Sequence, residues 1–544
     1  MTSWSFTIHV FPNERHGRRG SLSTADFDAG SPGPGRVRSA IGWSYVLTAG
    51  RVGSSIVVMF LLAKLLGPGE FGLLAMATVF ITIAQTIIQQ GLVSAIVQRD
   101  GLTADHLDAA FCVLVVAGVV GAAATVGLSP VWALINREPG LTTVCVALSP
   151  LVLLQGLATV PEAVLRRTLQ FRSVAIRTLI ASLLSGIAGV GLALAGAGIW
   201  ALVGQQLINA TISVAILWLI CPWRPSRRPR LAAIRELWAY SAHSANAGLG
   251  LVLGSRADII LMGIFFGPVA TGIYRLASRL PDMLVEVAVR SLQQVALPSL
   301  SRLQRDSARF AAHLTRLQHI GAVAGLPVLG ILCAAAEPLI GLLGPQWDGT
   351  VTPLRLLCLL GAVNVFGVLL GPALQAIGQP GTLAAILWTR GVLSVLTLAT
   401  VGALLTGHAP VAQASAIAVA ATGVQFALNT ITLWVTVRRA ADAAIGEFLA
   451  PTVPAILAAT AAALTPIPAA RLGADNLPPI VGLVAVGAGA ALVAAALLWS
   501  TDRRLRRLVG ARLRRRTDSD QPTVHPVPAA VHPVLASGVT DRTS

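Results

Sequence analysis

Residues 65–77 read LLGPGEFGLLAMA, and residues 265–277 read FFGPVATGIYRLA. Four positions recur at an offset of 200 residues: Gly67 as Gly267, Pro68 as Pro268, Gly72 as Gly272 and Ala77 as Ala277. A second pair of matches joins Pro161 to Pro372 and Gly196 to Gly407, both at an offset of 211. Chance reuse of turn residues is the alternative, since Gly and Pro mark turns everywhere. The two similar offsets favour an internal repeat whose copies each begin with a helix–turn–helix.

The composition predicts a polytopic membrane protein, because 55% of the 544 residues are hydrophobic, 12% are charged and the mean hydropathy is +0.74. A helix needs about 20 residues to cross about 30 Å of hydrocarbon. Counting apolar runs of that length predicts an all-α protein with about fourteen spans. The predicted spans are 41–63, 71–93, 109–135, 141–165, 172–196, 199–221, 239–266, 269–299, 319–344, 350–376, 381–405, 410–437, 446–466 and 478–500.

The repeat divides these spans into two pseudo-symmetric six-helix bundles, because an even number of helices separates its copies. Such parallel repeats are related by an axis along the membrane normal, with the substrate site between them. The predicted segments are a disordered cytoplasmic tail at 1–40, an N-terminal bundle at 41–221, a basic cytoplasmic linker at 222–238, a C-terminal bundle at 239–437, two further helices within 438–500, and a basic and then disordered tail at 501–544.

The net charge of +17 raises the possibility of nucleic-acid binding, which the distribution of basic residues argues against. With the N-terminus inside, the predicted cytoplasmic segments hold 25 Lys and Arg, whereas the opposite side holds three, namely Lys64, Arg137 and Arg471. This asymmetry follows the positive-inside rule and predicts a plasma-membrane protein with both termini in the cytoplasm. Its basic flanks favour anionic lipids rather than nucleic acid.

Motifs of covalent chemistry are missing from the sequence. It contains no GxxxxGK[ST], HExxH or GxSxG, and the loop at 223–237 carries a single acidic residue, Glu236. The five cysteines, Cys112, Cys145, Cys221, Cys333 and Cys358, occur singly and are interpreted as core residues rather than as disulfide or metal sites. We therefore predict a protein that is not an enzyme and that has no cofactor or metal.

Five charged residues interrupt the apolar sequence IYRLASRLPDMLVEVAVR at 273–290: Arg275, Arg279, Asp282, Glu286 and Arg290. At 100° per residue they fall within an arc of about 80°, so they form one stripe along the eighth predicted helix. One mid-membrane charge costs about 2.5–3.5 kcal/mol, which excludes a lipid-facing stripe. A polar wall that contacts substrate or a coupling ion is one interpretation; an ion-pair ladder that joins helices is the other.

Further charges lie singly within predicted spans. Arg51, Arg256 and Arg390 add positive charge and favour an anionic ligand, although Arg51 is close enough to its helix end for snorkelling. Asp258 points to a different face from Arg256. An intramembrane carboxylate of this kind is a candidate for proton or sodium coupling, with pairing to another helix as the alternative.

Three stretches carry a resemblance to a known family: LLGPGEFGLLAMATVF at 65–80, PEAVLRRTLQFRSVAIRTLIASLLSGIAGVGLALAGAGIWALVGQQL at 161–207, and GSRADIILMGIFFGPVATGIYRLASRL at 254–280. They resemble the Wzx-type lipopolysaccharide and exopolysaccharide exporters, the polysaccharide-synthesis branch of the multidrug/oligosaccharidyl-lipid/polysaccharide flippase superfamily. The resemblance implies a MATE-like, two-bundle transporter that flips a polyprenyl-pyrophosphate-linked oligosaccharide by alternating access. It also implies cavity cations for the pyrophosphate, here Arg51, Arg256, Arg275 and Arg279.

The resemblance further implies a polysaccharide polymerase and glycosyltransferases as partners in the same pathway. Two alternatives share the fold: a flippase for the peptidoglycan lipid precursor, and a drug or cation antiporter. The antiporter would favour a carboxylate-rich, aromatic cavity, whereas this chain offers arginines and only 5% aromatic residues. A membrane glycosyltransferase or a scaffold is disfavoured, since the sequence shows neither a nucleotide-binding loop nor a large soluble module.

Overall fold

The computed structural model describes residue 50 and residues 53–98, 104–167, 171–225, 231–440, 445–466, 478–502 and 504–506. Within this part of the chain the regular structure is entirely helical, which confirms the predicted all-α class. The apolar composition explains this outcome, because a segment surrounded by hydrocarbon must satisfy its own backbone hydrogen bonds, as a helix does.

The N-terminal bundle comprises seven helices in the described residues. They are α1 (Gly53–Leu65), α2 (Pro68–Gln98), α3 (Ala104–Asn136), α4 (Gly140–Leu148), α5 (Pro150–Arg167), α6 (Phe171–Leu194) and α7 (Ile199–Ile220). Helices α4 and α5 follow each other as one apolar stretch of membrane-spanning length, Gly140–Leu165. We call the end of the molecule with the α1–α2 turn the turn end, and the opposite end, where α7 finishes, the linker end.

The C-terminal bundle begins with a helix of 71 residues. Its helices are α8 (Leu231–Ser301), α9 (Ser307–Ala334), α10 (Ala336–Gly341), a 3₁₀ turn (Pro345–Thr350), α11 (Val351–Gly367), α12 (Leu370–Ala376), α13 (Pro380–Leu404) and α14 (Pro410–Ala440). The chain then continues as α15 (Ile445–Leu449), a 3₁₀ turn (Ala450–Thr452), α16 (Val453–Leu464) and α17 (Pro479–Thr501).

Helix α8 is broken at Gly267, whose φ of 76° and ψ of −169° lie outside the helical region. Glycine adopts this conformation without steric cost, and Pro268 then starts the second arm because it needs no helical N–H partner. The break confirms the predicted boundary between spans 239–266 and 269–299. It folds the second arm of α8 back beside the first.

Twelve stretches of the described residues are long and apolar enough to span a membrane. The first helix is described only over Gly53–Leu65, and one of the twelve stretches, Arg256–Val289, covers both arms of α8. The multi-pass membrane class is therefore confirmed, and the total of fourteen spans stays a prediction.

The predicted span 319–344 was wrong at both ends. Helix α9 begins at Ser307, where the Asp306 carboxylate caps it by accepting a hydrogen bond from the Arg309 N–H at 3.0 Å. It ends at Ala334, and the short helix α10 follows. The hydropathy window missed the first turns because charged residues at 309 and 316 lower the local average without preventing helix formation.

The repeated turns meet each other at the centre of the fold. Gly72 of α2 faces the Pro268 carbonyl of α8, and Gly272 of α8 faces the Pro68 carbonyl of α2, so closely that a methyl group on either glycine would overlap the opposite backbone. The second pair of matched glycines also corresponds, because Gly196 and Gly407 both adopt positive φ, 78° and 91°, in their turns. We call the reciprocal contact of Gly72 and Gly272 the glycine interlock.

Helices α16 and α17 pack on α9 through small residues. Gly330 of α9 lies against the Ala459 backbone of α16, and Ala458, Ala462 and Ala490 are fully buried in the same cluster. At the linker end, the His319 ring of α9 faces two acceptors: the Pro451 carbonyl at 2.7 Å from Nδ1 and the Asp502 carboxylate at 3.1 Å from Nε2. These contacts join α9 to the segments that precede α16 and follow α17.

We expect Gly72→Ala to destabilise the protein by about 1–3 kcal/mol, because the added methyl group forces apart two backbones that touch. Thermal unfolding of the purified protein measures this loss as a lower midpoint. Gly127→Ala is the matched control, since Gly127 is also within a helix but has nothing within 4 Å of the added position. Equal midpoints for both variants would contradict a tight glycine interlock.

Candidate functional site

A cavity of about 180 Å³ lies between the bundles, on the linker-end side of the glycine interlock. Its wall comprises residues of α1, α2, α7 and both arms of α8: Met59, Phe71, Leu74, Ala75, Thr78, Val79, Thr82, Gln206, Arg256, Ile259, Arg275, Leu276 and Arg279. The position between the two copies of the repeat is the one that the sequence predicted for a substrate site.

Three arginines line this cavity together, although they come from separate parts of α8. Arg256 precedes the break at Gly267 by eleven residues, and Arg275 and Arg279 follow it by eight and twelve. At about 1.5 Å of rise per residue, the returning arm places all three at similar depths. The result is a concentrated positive charge inside an otherwise apolar interior.

Carboxylates lie close to these arginines without appearing in the cavity wall. Arg275 is within electrostatic range of Arg256, Arg279, Asp258 and Asp282. Opposite charges at short range offset part of the desolvation cost that a buried guanidinium carries. Asp258 and Asp282 offset part of this cost for Arg275.

Asp258 is fixed by a partner that the sequence did not reveal. The Tyr274 hydroxyl donates to Asp258 Oδ2 at 2.8 Å, and the Ile259 N–H donates to Oδ1 at 2.9 Å. Tyr274 is fully buried, and Arg390 of α13 lies within electrostatic range of Asp258. Asp258 is thus hydrogen-bonded within α8 and lies within electrostatic range of an arginine on a second helix.

Tyr274 could have been anticipated from one signal. It is one of only three tyrosines in the chain and directly precedes the charge stripe. A buried tyrosine hydroxyl needs a partner, and the break at Gly267 brings Asp258 of the preceding arm within reach. Without knowledge of that fold-back, a separation of 16 residues gave no reason to connect them.

The remaining predicted site residues lie in different situations. Glu286 is half-buried on the second arm of α8 and takes part in an interaction, whereas Arg290 belongs to the same helix with its side chain outside the described residues. Arg51 also lies outside the described residues. The structure thus brings together Arg256, Asp258, Arg275, Arg279, Asp282 and Arg390.

Uncharged polar groups complete the cavity wall. The Gln206 amide of α7 donates to the Thr78 hydroxyl of α2 at 3.2 Å, and both residues line the cavity together with Thr82. These groups offer hydrogen-bond donors and acceptors beside the arginines. Such a surface suits a ligand that combines an anionic group with hydroxyls.

Trp347 of the C-terminal bundle contacts α1 and α2 at the turn end of the cavity, and we interpret these contacts as its closure on that side. Helix α1 ends at Leu65, and the Ala63 carbonyl near its end lacks its usual helical donor because the Gly67 N–H donates to Glu70 instead, at 3.1 Å. Trp347 Nε1 takes that place and donates to the Ala63 oxygen at 2.7 Å. Its fully buried ring meets Phe71 of the cavity wall edge-on, with centroids 5.4 Å apart.

The described residues contain no group of three or more His, Cys, Asp or Glu side chains arranged to hold a metal ion. The cavity wall offers the charges of its arginines and the hydrogen-bonding groups of its glutamine and threonine side chains. It provides an anion-binding surface, and none of the described cavity residues forms a nucleophile–base pair.

Comparisons with known proteins agree with this geometry. A family model described as "Polysaccharide biosynthesis protein" matches residues 61–352, more than half of the chain. The succinoglycan biosynthesis transport protein ExoT of Rhizobium meliloti is 25% identical over 63% of this chain and 70% of its own length. The lipopolysaccharide biosynthesis protein WzxC of Escherichia coli is 22% identical over 61% and 68%, respectively.

Two solved structures show the fold. The lipid II flippase MurJ in an inward closed conformation superposes with a TM-score of 0.60 at 11% identity, covering 85% of this chain and 98% of MurJ. An inward-facing multidrug resistance MATE family transporter gives a TM-score of 0.54 at 14% identity, covering 73% and 96%. The MATE-like fold that the sequence resemblance implied is confirmed.

We expect Tyr274→Phe to lower the free energy of unfolding by about 1.5–3 kcal/mol, the usual value of a hydrogen bond to a charged group. Thr400→Val is the matched control, because it removes a hydroxyl that bonds only its own helix at an exposed position. Thermal unfolding compares the two variants. Similar small losses in both would show that the Tyr274–Asp258 bond stabilises little.

We expect Trp347→Phe to weaken the closure, since phenylalanine keeps an aromatic ring but leaves the Ala63 carbonyl without its donor. In a chain whose native cysteines are replaced by alanine, a cysteine at Thr78 should react up to about tenfold faster with an impermeant maleimide added on the turn-end side. Trp499→Phe, at an exposed ring on α17, is the control. An unchanged rate in Trp347→Phe would contradict a closing role.

Proposed function

The chain belongs to the polysaccharide biosynthesis protein family, and we propose that it flips a polyprenyl-pyrophosphate-linked oligosaccharide across the plasma membrane for surface polysaccharide export. The relatives named above are transport or biosynthesis proteins for succinoglycan and lipopolysaccharide. The single observation that carries the proposal for this chain is the arginine-lined cavity between its two bundles.

The physical problem of such a transporter is the pyrophosphate. A polyprenyl tail enters hydrocarbon freely, whereas an unpaired diphosphate cannot. Guanidinium groups bind phosphate oxygens through charge-assisted, bidentate hydrogen bonds, and Arg256, Arg275 and Arg279 present three of them to one cavity. The arginines therefore replace the water that the pyrophosphate loses, and the tail stays in lipid.

The oligosaccharide needs hydrogen-bonding groups rather than charge. Gln206, Thr78 and Thr82 lie in the same wall as the arginines and can exchange hydrogen bonds with sugar hydroxyls. The cavity of about 180 Å³ is small for an oligosaccharide, so the two bundles have to separate further when the substrate enters.

We propose that the turn end faces outward and that both termini are cytoplasmic. The support is the distribution of basic residues, with 25 in the predicted cytoplasmic segments and three on the other side. In this orientation the described conformation is closed toward the outside by Trp347 and the glycine interlock. Opening these contacts and closing the linker end would give the outer-leaflet state of an alternating-access cycle.

We retain Asp258 as the candidate coupling carboxylate. It is held by Tyr274 and lies within electrostatic range of Arg275 and Arg390, so protonation or cation binding at Asp258 would change the net charge that the arginines present to the substrate. This arrangement links the charge state of one side chain to the affinity for the pyrophosphate.

A peptidoglycan-precursor flippase is the second candidate, because lipid II presents the same pyrophosphate chemistry and MurJ shares the fold. A drug or cation antiporter fits less well, since the described cavity wall carries three arginines and no carboxylate. We propose no catalytic step. Glycosyltransferases and a polymerase of the same pathway are the proposed partners, in keeping with the biosynthetic relatives.

We expect Arg256→Gln and Arg279→Gln to reduce export at least tenfold, because each removes a charge-assisted contact to the pyrophosphate while keeping a polar side chain of similar length. The measurement is the amount and sidedness of lipid-linked oligosaccharide in cells that lack the native gene and carry each variant. Cytoplasmic-leaflet accumulation is the expected result.

Arg355→Gln is the matched control, because this arginine pairs with Glu337 at 3.0 Å on an exposed surface near the turn end. It should export normally. Normal export by Arg256→Gln and Arg279→Gln at wild-type abundance would refute the cationic cavity, and a lipid II phenotype would favour the second candidate.

A further inference from the structure

A second cavity, of about 260 Å³, opens at the linker end and has no role in the proposed transport step. Its lining comes from the first turns of α9, the last turn of α14, α15 and the residues after α17: Ala311, Ala312, Leu314, Thr315, Thr436, Val437, Glu447, Phe448 and Arg504. Four separate segments meet here, so the site exists only when the C-terminal helices dock on the bundle.

An aromatic residue next to this cavity indicates its depth in the membrane. Trp434 lies one turn before Val437 on α14, its ring is 46% exposed, and the Arg438 guanidinium stacks over it at 4.9 Å from the ring centroid. Tryptophan with a neighbouring arginine is typical of the membrane interface, where lipid headgroups lie. The cavity is therefore at headgroup depth.

Arg504 is held in place rather than left as part of a loose tail. The Asp502 carboxylate accepts hydrogen bonds from the Arg504 and Leu505 N–H groups, both at 2.9 Å, and caps the turn that carries Arg504. Asp502 is itself 3% exposed and faces His319 of α9 at 3.1 Å. Burial and two sets of contacts thus fix the backbone from which Arg504 reaches the cavity.

The two charges that line the cavity have opposite signs and are exposed. Glu447 offers a carboxylate and Arg504 a guanidinium, while Leu314, Val437 and Phe448 provide an apolar floor and Thr315 and Thr436 provide hydroxyl oxygens. A ligand that matches this pattern carries both an anion and a cation, next to an apolar chain. A zwitterionic phospholipid has this chemistry.

We propose that this cavity binds the headgroup of a zwitterionic phospholipid with a primary ammonium, that is, a phosphatidylethanolamine. Arg504 binds the phosphate, and Glu447 accepts hydrogen bonds from the ammonium. A phosphocholine headgroup has no N–H to donate and fits Glu447 less well. The anionic headgroup of phosphatidylglycerol can bind Arg504 through its phosphate, but it has no positive charge to pair with the Glu447 carboxylate.

The test uses the full chain in detergent, with phosphatidylethanolamine, phosphatidylcholine and phosphatidylglycerol of identical acyl chains supplied in turn. Native mass spectrometry counts retained lipids, and a photoactivatable phosphatidylethanolamine identifies the crosslinked peptides. We expect about tenfold preference for phosphatidylethanolamine over phosphatidylcholine, the value of one charge-assisted hydrogen bond, with crosslinks on α9 and α15.

Two variants separate the two contacts. Glu447→Gln should bring the ratio of retained phosphatidylethanolamine to retained phosphatidylcholine close to one. Arg504→Gln should weaken retention of all three lipids at the crosslinked site. Arg309→Gln is the control, because Arg309 is 80% exposed, belongs to the same end of α9 and pairs with Asp306 outside the cavity. Equal retention of phosphatidylethanolamine and phosphatidylcholine, a preference for phosphatidylglycerol, or crosslinks elsewhere would each overturn the proposal.

The proposal does not depend on the transported substrate. Headgroup selectivity is measured without transport, so loss of export in Arg256→Gln and loss of selectivity in Glu447→Gln report on separate sites. A chain that is no flippase can still show the lipid preference, and a functional flippase can lack it.

Discussion

A guanidinium group cannot remain in hydrocarbon without partners, and the architecture of this protein follows from that constraint. Three arginines face one interior cavity, which requires counter-charges, hydrogen-bonding groups or water on every side of them. The fold supplies these by bending α8 at Gly267, so that Asp258 and Tyr274 of opposite arms come together. The same bend brings Arg256 close to Arg275. The break at Gly267 therefore gathers both the arginines and the carboxylate that offsets part of their charge.

The glycine interlock makes that arrangement possible between bundles. Because Gly72 and Gly272 have no side chains, α2 and α8 approach until their backbones touch, and the cavity forms where the two helices diverge. The contact is reciprocal since both glycines occupy the same place in the repeat. A duplicated sequence has thus produced a nearly symmetric contact, while the cavity arginines of this segment occur on the C-terminal copy alone: the positions of Arg275 and Arg279 correspond to Ala75 and Val79.

Much of the fold was predictable from the sequence because its signals are local and strong. Apolar length identified most spans, the Gly-Pro turns located the repeat, and the break at Gly267 coincided with a predicted helix boundary. The start of α9 was missed because the charged residues in its first turns lower the local hydropathy to values typical of a loop. The site was predictable by residue type only: desolvation cost required Arg256, Arg275 and Arg279 to face inward, but the partners Tyr274 and Trp347 depend on contacts 16 and 284 residues apart. No periodicity encodes such distances.

The closure at the turn end has a property that follows from its composition. Its contacts between bundles include, among the described residues, a backbone carbonyl with an indole N–H, an edge-on aromatic pair and two facing glycines. None of these joins two formal charges, so dissolved salt has nothing to screen there. These contacts should therefore hold with similar strength at low and at high ionic strength.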